Sequence, residues 1–159
     1  MTGVATMADQ NEHHWLSFHM GAQLYAAPLR EVSEVIRERE LTPVPGAEPD
    51  LLGILHLRGH IVPVLDGRLR LGLPVAPAAD AAQVRIVLLT QAGQLIGLRV
   101  DAVAELLSTE GIEIAPPPPG RARRGDDPVN GVLAWRDGFV ALLDVCRLCR
   151  LNRENGHVV

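Results

Sequence analysis

The amino-acid sequence echoes itself, and that echo limits the fold more than any single motif does. Displaced by 71 residues, Gly21-Ala22-Gln23-Leu24 falls on Ala92-Gly93-Gln94-Leu95, and Val32-Ser33-Glu34-Val35-Ile36 falls on Val103-Ala104-Glu105-Leu106-Leu107. In the same register Trp15-Leu16-Ser17-Phe18 meets Ile86-Val87-Leu88-Leu89. Displaced by 78, Gly53-Ile54-Leu55-His56-Leu57-Arg58 falls on Gly131-Val132-Leu133-Ala134-Trp135-Arg136, Ile61 on Phe139, Val62 on Val140 and Asp66 on Asp144. The seven residues of difference belong in 115–130, where Pro, Arg, Gly and Asp crowd together as they do in loops. Gly, Glu and Asp positions matched in order mark an internal duplication. The chain must therefore build two like units.

Each copy has one plan. A strand at 15–20 or 84–90 reaches a tight turn at Gly21-Ala22 or Ala92-Gly93, followed by a second strand at 23–28 or 94–101. A short third strand is predicted at 32–37 or 103–107. Pro-rich turns at 43–49 and 115–119 end the pattern, since Pro lacks the amide that a ladder needs. A hairpin follows, 53–58 with 60–65 or 131–136 with 138–143, with Gly53 and Gly59 as its structural glycines in the first copy. Asp66 and Asp144 are placed to cap one or two helical turns at 66–71 and 144–151, their carboxylates accepting first-turn amides. Short strands with so little helix hide their edges and aliphatic face by curling. The expected fold is mainly β, two small barrels with short helices. Residues 1–12 and 152–159 are expected to be tails flanking a domain at 13–151.

Composition narrows the function. Nineteen acidic against fifteen basic residues leave a net charge of −4, and every base is Arg. That balance offers no electrostatic footprint for nucleic acid, and five Phe, Trp and Tyr residues in all make poor stacking platforms. Nothing near the N-terminus combines a basic flank with an apolar run, so the protein is expected in the cytoplasm without membrane insertion. No phosphate-cradling G-x-x-x-x-G-K-[ST], dinucleotide G-x-G-x-x-G or nucleophile G-x-S-x-G occurs, and the serines Ser17, Ser33 and Ser108 sit in strand patterns. His56 and His60 flank a hairpin turn, while Cys146 and Cys149 form one C-x-x-C. Together these four admit a metal- or thiol-binding reading. The plainer reading is buried small hydrophobes and half-exposed strand residues, so no metal, cofactor or catalytic residue is expected. The Arg/Glu alternation from Arg30 to Glu40 is a solvated strand edge on the plain reading and a docking surface on the sharper one. Arg121, Arg123 and Arg124, followed by Asp126 and Asp127, read as a loop.

The stretch Leu51 to Arg68, LLGILHLRGHIVPVLDGR, resembles the signature of CheW-like coupling proteins of bacterial chemotaxis, G-(apolar)2-N-L-R-G-x-(apolar)2-P-V-x-D-L-R. Further matches are the Gly21 to Glu34 segment, Leu41-Thr42-Pro43-Val44-Pro45-Gly46, Gly97-Leu98-Arg99-Val100-Asp101 and Leu142-Leu143-Asp144. Two positions depart from the pattern: His56 stands for Asn, and Gly67 for Leu. The resemblance covers about 15–150. It implies two intertwined five-stranded SH3-like barrels, the first at about 15–80 and the second at about 83–150, with some strand exchange possible. It also implies a non-catalytic adaptor, recruited to membrane receptor arrays, between the chemoreceptor cytoplasmic tip and the regulatory domain of a CheA-type histidine kinase. A receptor helix hairpin would lie in the groove between the barrels, against Val32, Glu34, Arg58, Gly97 and Val103, with barrel ends pairing with the kinase domain. In that reading Gly97 lets a helix backbone approach and Arg58 presents a planar donor fork. A pathway that controls pili or another output is the alternative within the same fold.

Overall fold

A computed structural model of the chain describes residues 12–74, 76–117 and 127–150. Its elements run through one plan twice. Strands β1 (His14–Met20), β2 (Gln23–Pro28) and β3 (Val32–Arg37) lead to the hairpin β4 (Leu51–Leu57) and β5 (His60–Asp66), closed by α1 (Gly67–Arg70). The second round is β6 (Arg85–Gln91), β7 (Gln94–Val100), β8 (Ala102–Ser108), the hairpin β9 (Val129–Trp135) and β10 (Gly138–Leu143), then α2 (Val145–Leu148). Asp66 accepts the amides of Arg68 and Leu69 at 2.9 and 3.4 Å, and Asp144 accepts that of Arg147 at 3.2 Å. Both short helices therefore start on a carboxylate that satisfies otherwise orphaned amides. The expected tails lie outside the described residues except for Glu12, as do Arg121, Arg123, Arg124 and Asp126.

The barrels are not the two consecutive halves. One sheet has the order β8-β1-β2-β10-β9 and the other β3-β6-β7-β5-β4. Residues 32–100 thus supply all five strands of the second sheet, while the first is assembled from the two flanking segments. The division at about 15–80 and 83–150 is corrected accordingly: each sheet takes two strands from one copy and three from the other. Chain reach explains the exchange. To stay in its own sheet, β3 would have to lie parallel to β2 on the far side of β1. The connection would then run back the length of a six-residue strand, about 20 Å. Only Leu29–Glu31 joins β2 to β3, and three residues span at most about 10 Å. Between β7 and β8 stands Asp101 alone. Both connections must pass to the other sheet, and each sheet is completed by one parallel pair, β2 with β10 and β7 with β5.

Each sheet with the short helix that follows its hairpin, α1 after β5 or α2 after β10, is a lobe. The first lobe is filled by Ala26, Leu107, Leu133, Val140 and Leu142, the second by Leu55, Leu57, Val62, Val64, Ile86 and Leu88. The largest cluster lies between them and draws on both sheets, with Phe18, Met20, Tyr25, Val129 and Leu143 from one and Leu65, Val87, Leu89 and Leu98 from the other. Edges are covered the same way in both lobes. Thr42 exchanges two backbone bonds with Ile54 on β4, and Ala115 does so with Val132 on β9. Gly53 permits this approach, because a Cβ there would stand 2.6 Å from the Thr42 carbonyl. Covering an edge strand removes a template for unwanted pairing.

Candidate interaction surface

The edges of each sheet are joined by a side-chain clasp. In the second lobe Glu34 of edge strand β3 receives both terminal nitrogens of Arg58, at 2.9 and 3.0 Å, across to edge strand β4. Glu34 directly follows a register shift between Val32 and Glu34, an extra residue of the kind that re-aims a strand's side chains. Arg58 opens the β4–β5 turn at φ 50° and Gly59 follows at φ 81°, the two left-handed positions of a tight hairpin turn. Arg in that conformation is uncommon, and its fork is held by the carboxylate it faces. The Arg58 side chain remains 66% exposed and that of Glu34 32% exposed, so the pair is both bonded and presented. Hydrogen bonding to Arg58 holds the Glu34 carboxyl below its usual range, and the same contact raises Arg58.

The first lobe repeats the device. Glu105 of edge strand β8 binds Arg136 at the β9–β10 turn at 3.0 Å, and Arg136 also has a positive φ of 54°. The indole nitrogen of Trp135 donates to the same carboxylate at 3.3 Å, and the Arg136 guanidinium lies 5.6 Å from the Trp135 ring centre. Here the register shift lies on β8 opposite Ser17, which is fully buried. Its hydroxyl donates to the Glu105 carbonyl at 2.7 Å and accepts the Glu105 amide at 3.0 Å, sewing the bulge to β1.

The other expected groove residues have different surroundings. Val32 and Val103 are half-buried against the central cluster, at equivalent places on either side of the lobe seam. Gly97 is buried within β7, between β5 and β6, and a Cβ there would stand 2.8 Å from Ile86 and 3.1 Å from Val64. The room it leaves is filled from inside the barrel. Gly97 therefore serves the packing of the second lobe. His56 and His60 are exposed on the second lobe, whereas Cys146 and Cys149 lie on the helix and cap of the first, so the four are not assembled. Burial pushes the Cys149 thiol up to about 12, which keeps it protonated. Gly67, the departure from the family pattern, is buried with Met20 in the space a longer side chain would take.

Sequence reasoning passed over four exposed apolar side chains: Ile61 at 63%, Phe139 at 64%, Val35 at 37% and Leu106 at 56%. They form two equivalent pairs, because Ile61 maps on Phe139 and Val35 on Leu106 in the two copy registers. The signal was present in the duplication itself, since large apolar residues recur at strand positions that alternate outward.

Exposed apolar side chains beside presented charge pairs, on a curled β framework, define a scaffold that works through protein contact. The CheW-like domain family matches residues 14–155. The chemotaxis protein CheW of Rhizobium meliloti is 27% identical over 91% of this chain and 92% of its own length. The chemotaxis protein CheW of Bacillus subtilis is 27% identical over 80% of each. The solved scaffolding protein TtCheW of Thermoanaerobacter tengcongensis superposes with a TM-score of 0.78 at 28% identity, covering 89% of this chain and 94% of that one. The chain belongs to the CheW-like family and is a chemotaxis coupling scaffold. No helix among its described residues is long and apolar enough to cross a membrane.

Proposed function

We propose that this protein is a non-catalytic adaptor joining the cytoplasmic tip of chemoreceptors to the regulatory domain of a CheA-type histidine kinase, and that its partners bring it to membrane receptor arrays. The observation that carries the reading is the bonded yet presented Arg58–Glu34 pair. A bidentate fork on an exposed turn keeps donor capacity for a second partner, and Val32 and Val103 supply aliphatic surface at the seam for a helix. Glu34 and Arg58 are the contact residues, Val32 and Val103 shape the groove wall, and Gly97 holds that wall from within.

The test compares Arg58→Ala with Arg136→Ala, measuring binding to a receptor-tip fragment and separately to the kinase regulatory domain. Arg58→Ala should weaken receptor binding more than tenfold, as loss of an interface Arg does at a hot spot, and leave kinase binding nearly unchanged. Equal losses at both partners with a lowered melting temperature would assign Arg58 to barrel closure alone.

A second output has one observation in its favour. Protein PilI of Pseudomonas aeruginosa is 32% identical over 55% of this chain and 48% of its own length. Deletion of the gene separates the two outputs: loss of swimming behaviour supports the first, and loss of pilus-driven movement supports the second.

A further inference from the structure

Two covalent crossings join the lobes, at Leu29–Glu31 and at Asp101, and two crossings define an axis about which packed bodies can rock. The apolar cluster between the lobes holds them together, and hydrogen bonds across the seam add directional constraint to that contact. Directional contacts come from α1, four residues long, which sends one guanidinium each way. Arg68 binds Asp101 at 2.7 Å, and the same carboxylate oxygen accepts the amide of Gly21 in the β1–β2 turn of the first lobe at 2.8 Å. Asp101 also donates its amide to the His19 carbonyl at 3.0 Å. Arg70 reaches the last turn of α2, donating Nε to the Leu148 carbonyl at 2.8 Å and Nη2 to the carbonyls of Arg147 and Arg150 at 2.9 and 3.0 Å. Its Nη1 is held by Asp50 of the second lobe at 3.0 Å. Both side chains are well shielded, Arg68 at 14% and Arg70 at 15% exposure.

The duplication shows that this arrangement is specific to one copy. The residues of α2 equivalent to Arg68 and Arg70 are Cys146 and Leu148, neither of which offers a donor fork. A helix that only closed its own barrel would need no such difference. We infer that α1 is an interlobe clamp, with Arg68 and Arg70 as positioning residues that set the angle between the lobes and so the shape of the seam. Arg70 caps the carbonyl end of α2, groups that a helix terminus otherwise leaves unpaired, and Lys could not reach three carbonyls and a carboxylate together.

The experiment measures residual dipolar couplings and amide exchange on the full chain, native and with Arg70→Ala, Arg70→Lys or Arg68→Ala. In the native chain one alignment should fit both sheets. In Arg70→Ala and Arg68→Ala the sheets should need separate alignments while exchange protection inside each sheet persists, and Arg70→Lys should fall between. A single shared alignment in both alanine variants overturns the clamp, and so does a loss of protection spread evenly through both sheets. Binding of a receptor-tip fragment adds a second readout that rests on the coupling function proposed above. A loss of about three- to tenfold is expected for Arg70→Ala, the size of effects transmitted through a positioned element. Couplings change without any partner present, so a failed receptor assignment leaves the orientation result standing, and an unchanged orientation leaves the receptor assignment standing.

Discussion

The two lobes solve the same closure with different chemistry. In the second, Glu34 is bonded by Arg58 through two nitrogens, with no aromatic side chain in the pair. In the first, Glu105 is shared between Arg136 and the Trp135 indole, and the guanidinium lies near the aromatic ring. The exposed apolar partners differ in size as well, Val35 and Ile61 against Leu106 and Phe139. Duplication preserved what barrel closure requires, a carboxylate beyond a bulge and an Arg in a left-handed turn. It left the decoration of the clasp free to diverge. Trp135 occupies part of the Glu105 carboxylate, yet the two clasps are similarly exposed, Arg58 and Glu34 at 66% and 32% against Arg136 and Glu105 at 70% and 38%, so they differ in chemistry rather than in access.

The harshest challenge to the pairing of lobes is to cut the chain. A break after Asp80 leaves each fragment with parts of both sheets and only part of the central cluster, seven of its buried residues in one and eleven in the other. Neither fragment should give a cooperative melt, since a lone core of that size supplies only about 3–5 kcal/mol. A dispersed NMR spectrum from 1–80 alone would refute the exchanged arrangement. Excision of 32–100, which keeps five paired strands, should retain more β signal in circular dichroism than either half.

A smaller effect is expected where the lobes differ at the helix start. α1 opens with Gly67 and α2 with Val145, while the equivalent of Met20 is Gln91. Gly67→Val should cost about 1–3 kcal/mol in denaturant melts, because the new side chain meets Met20 and the Arg99 carbonyl. Met20→Ala in the same chain should recover part of the loss, which tests whether Met20 fills the vacancy. Ser17→Ala should cost about 1–3 kcal/mol by leaving the Glu105 amide without its bond. Its equivalent in the second lobe is Leu88, so faster amide exchange should appear along β1 and β8 and spare β3 and β6.

The smallest effect is a pH dependence confined to one side of the duplication. Burial opposes the charge of Asp101, but Arg68 and the Gly21 amide outweigh it and hold the carboxyl below its usual range. A carboxyl lowered on folding adds its full stability above the ordinary range, near about pH 4, and loses it as pH falls through the native value. Melting temperatures taken from about pH 6 to about pH 3 should fall less steeply in Asp101→Asn than in the native chain. The copy-one equivalent is Arg30, which carries no carboxyl.

Strands, turns and caps are local, and the sequence determined them: apolar alternation, Gly at turns, Pro at the breaks, and Asp before each short α-helix produce, among the described residues, ten strands and two α-helix caps in order. The resemblance between copies also pointed to two like barrels. It could not say which strands share one, because β3 and β8 carry the same pattern and each could pair with β1 or β6. The tertiary structure decided that through reach, with three residues and one residue as the bridges between sheets. Those lengths stand in the sequence, but they become decisive only once strand directions are known. Gly97 was legible as a glycine needing space, and only packing showed that Ile86 and Val64 take that space from inside. The Arg58–Glu34 and Arg70–α2 contacts join residues 24 and 77 to 80 positions apart. No local period encodes such partners, and the fold alone brings their charges to bonding distance.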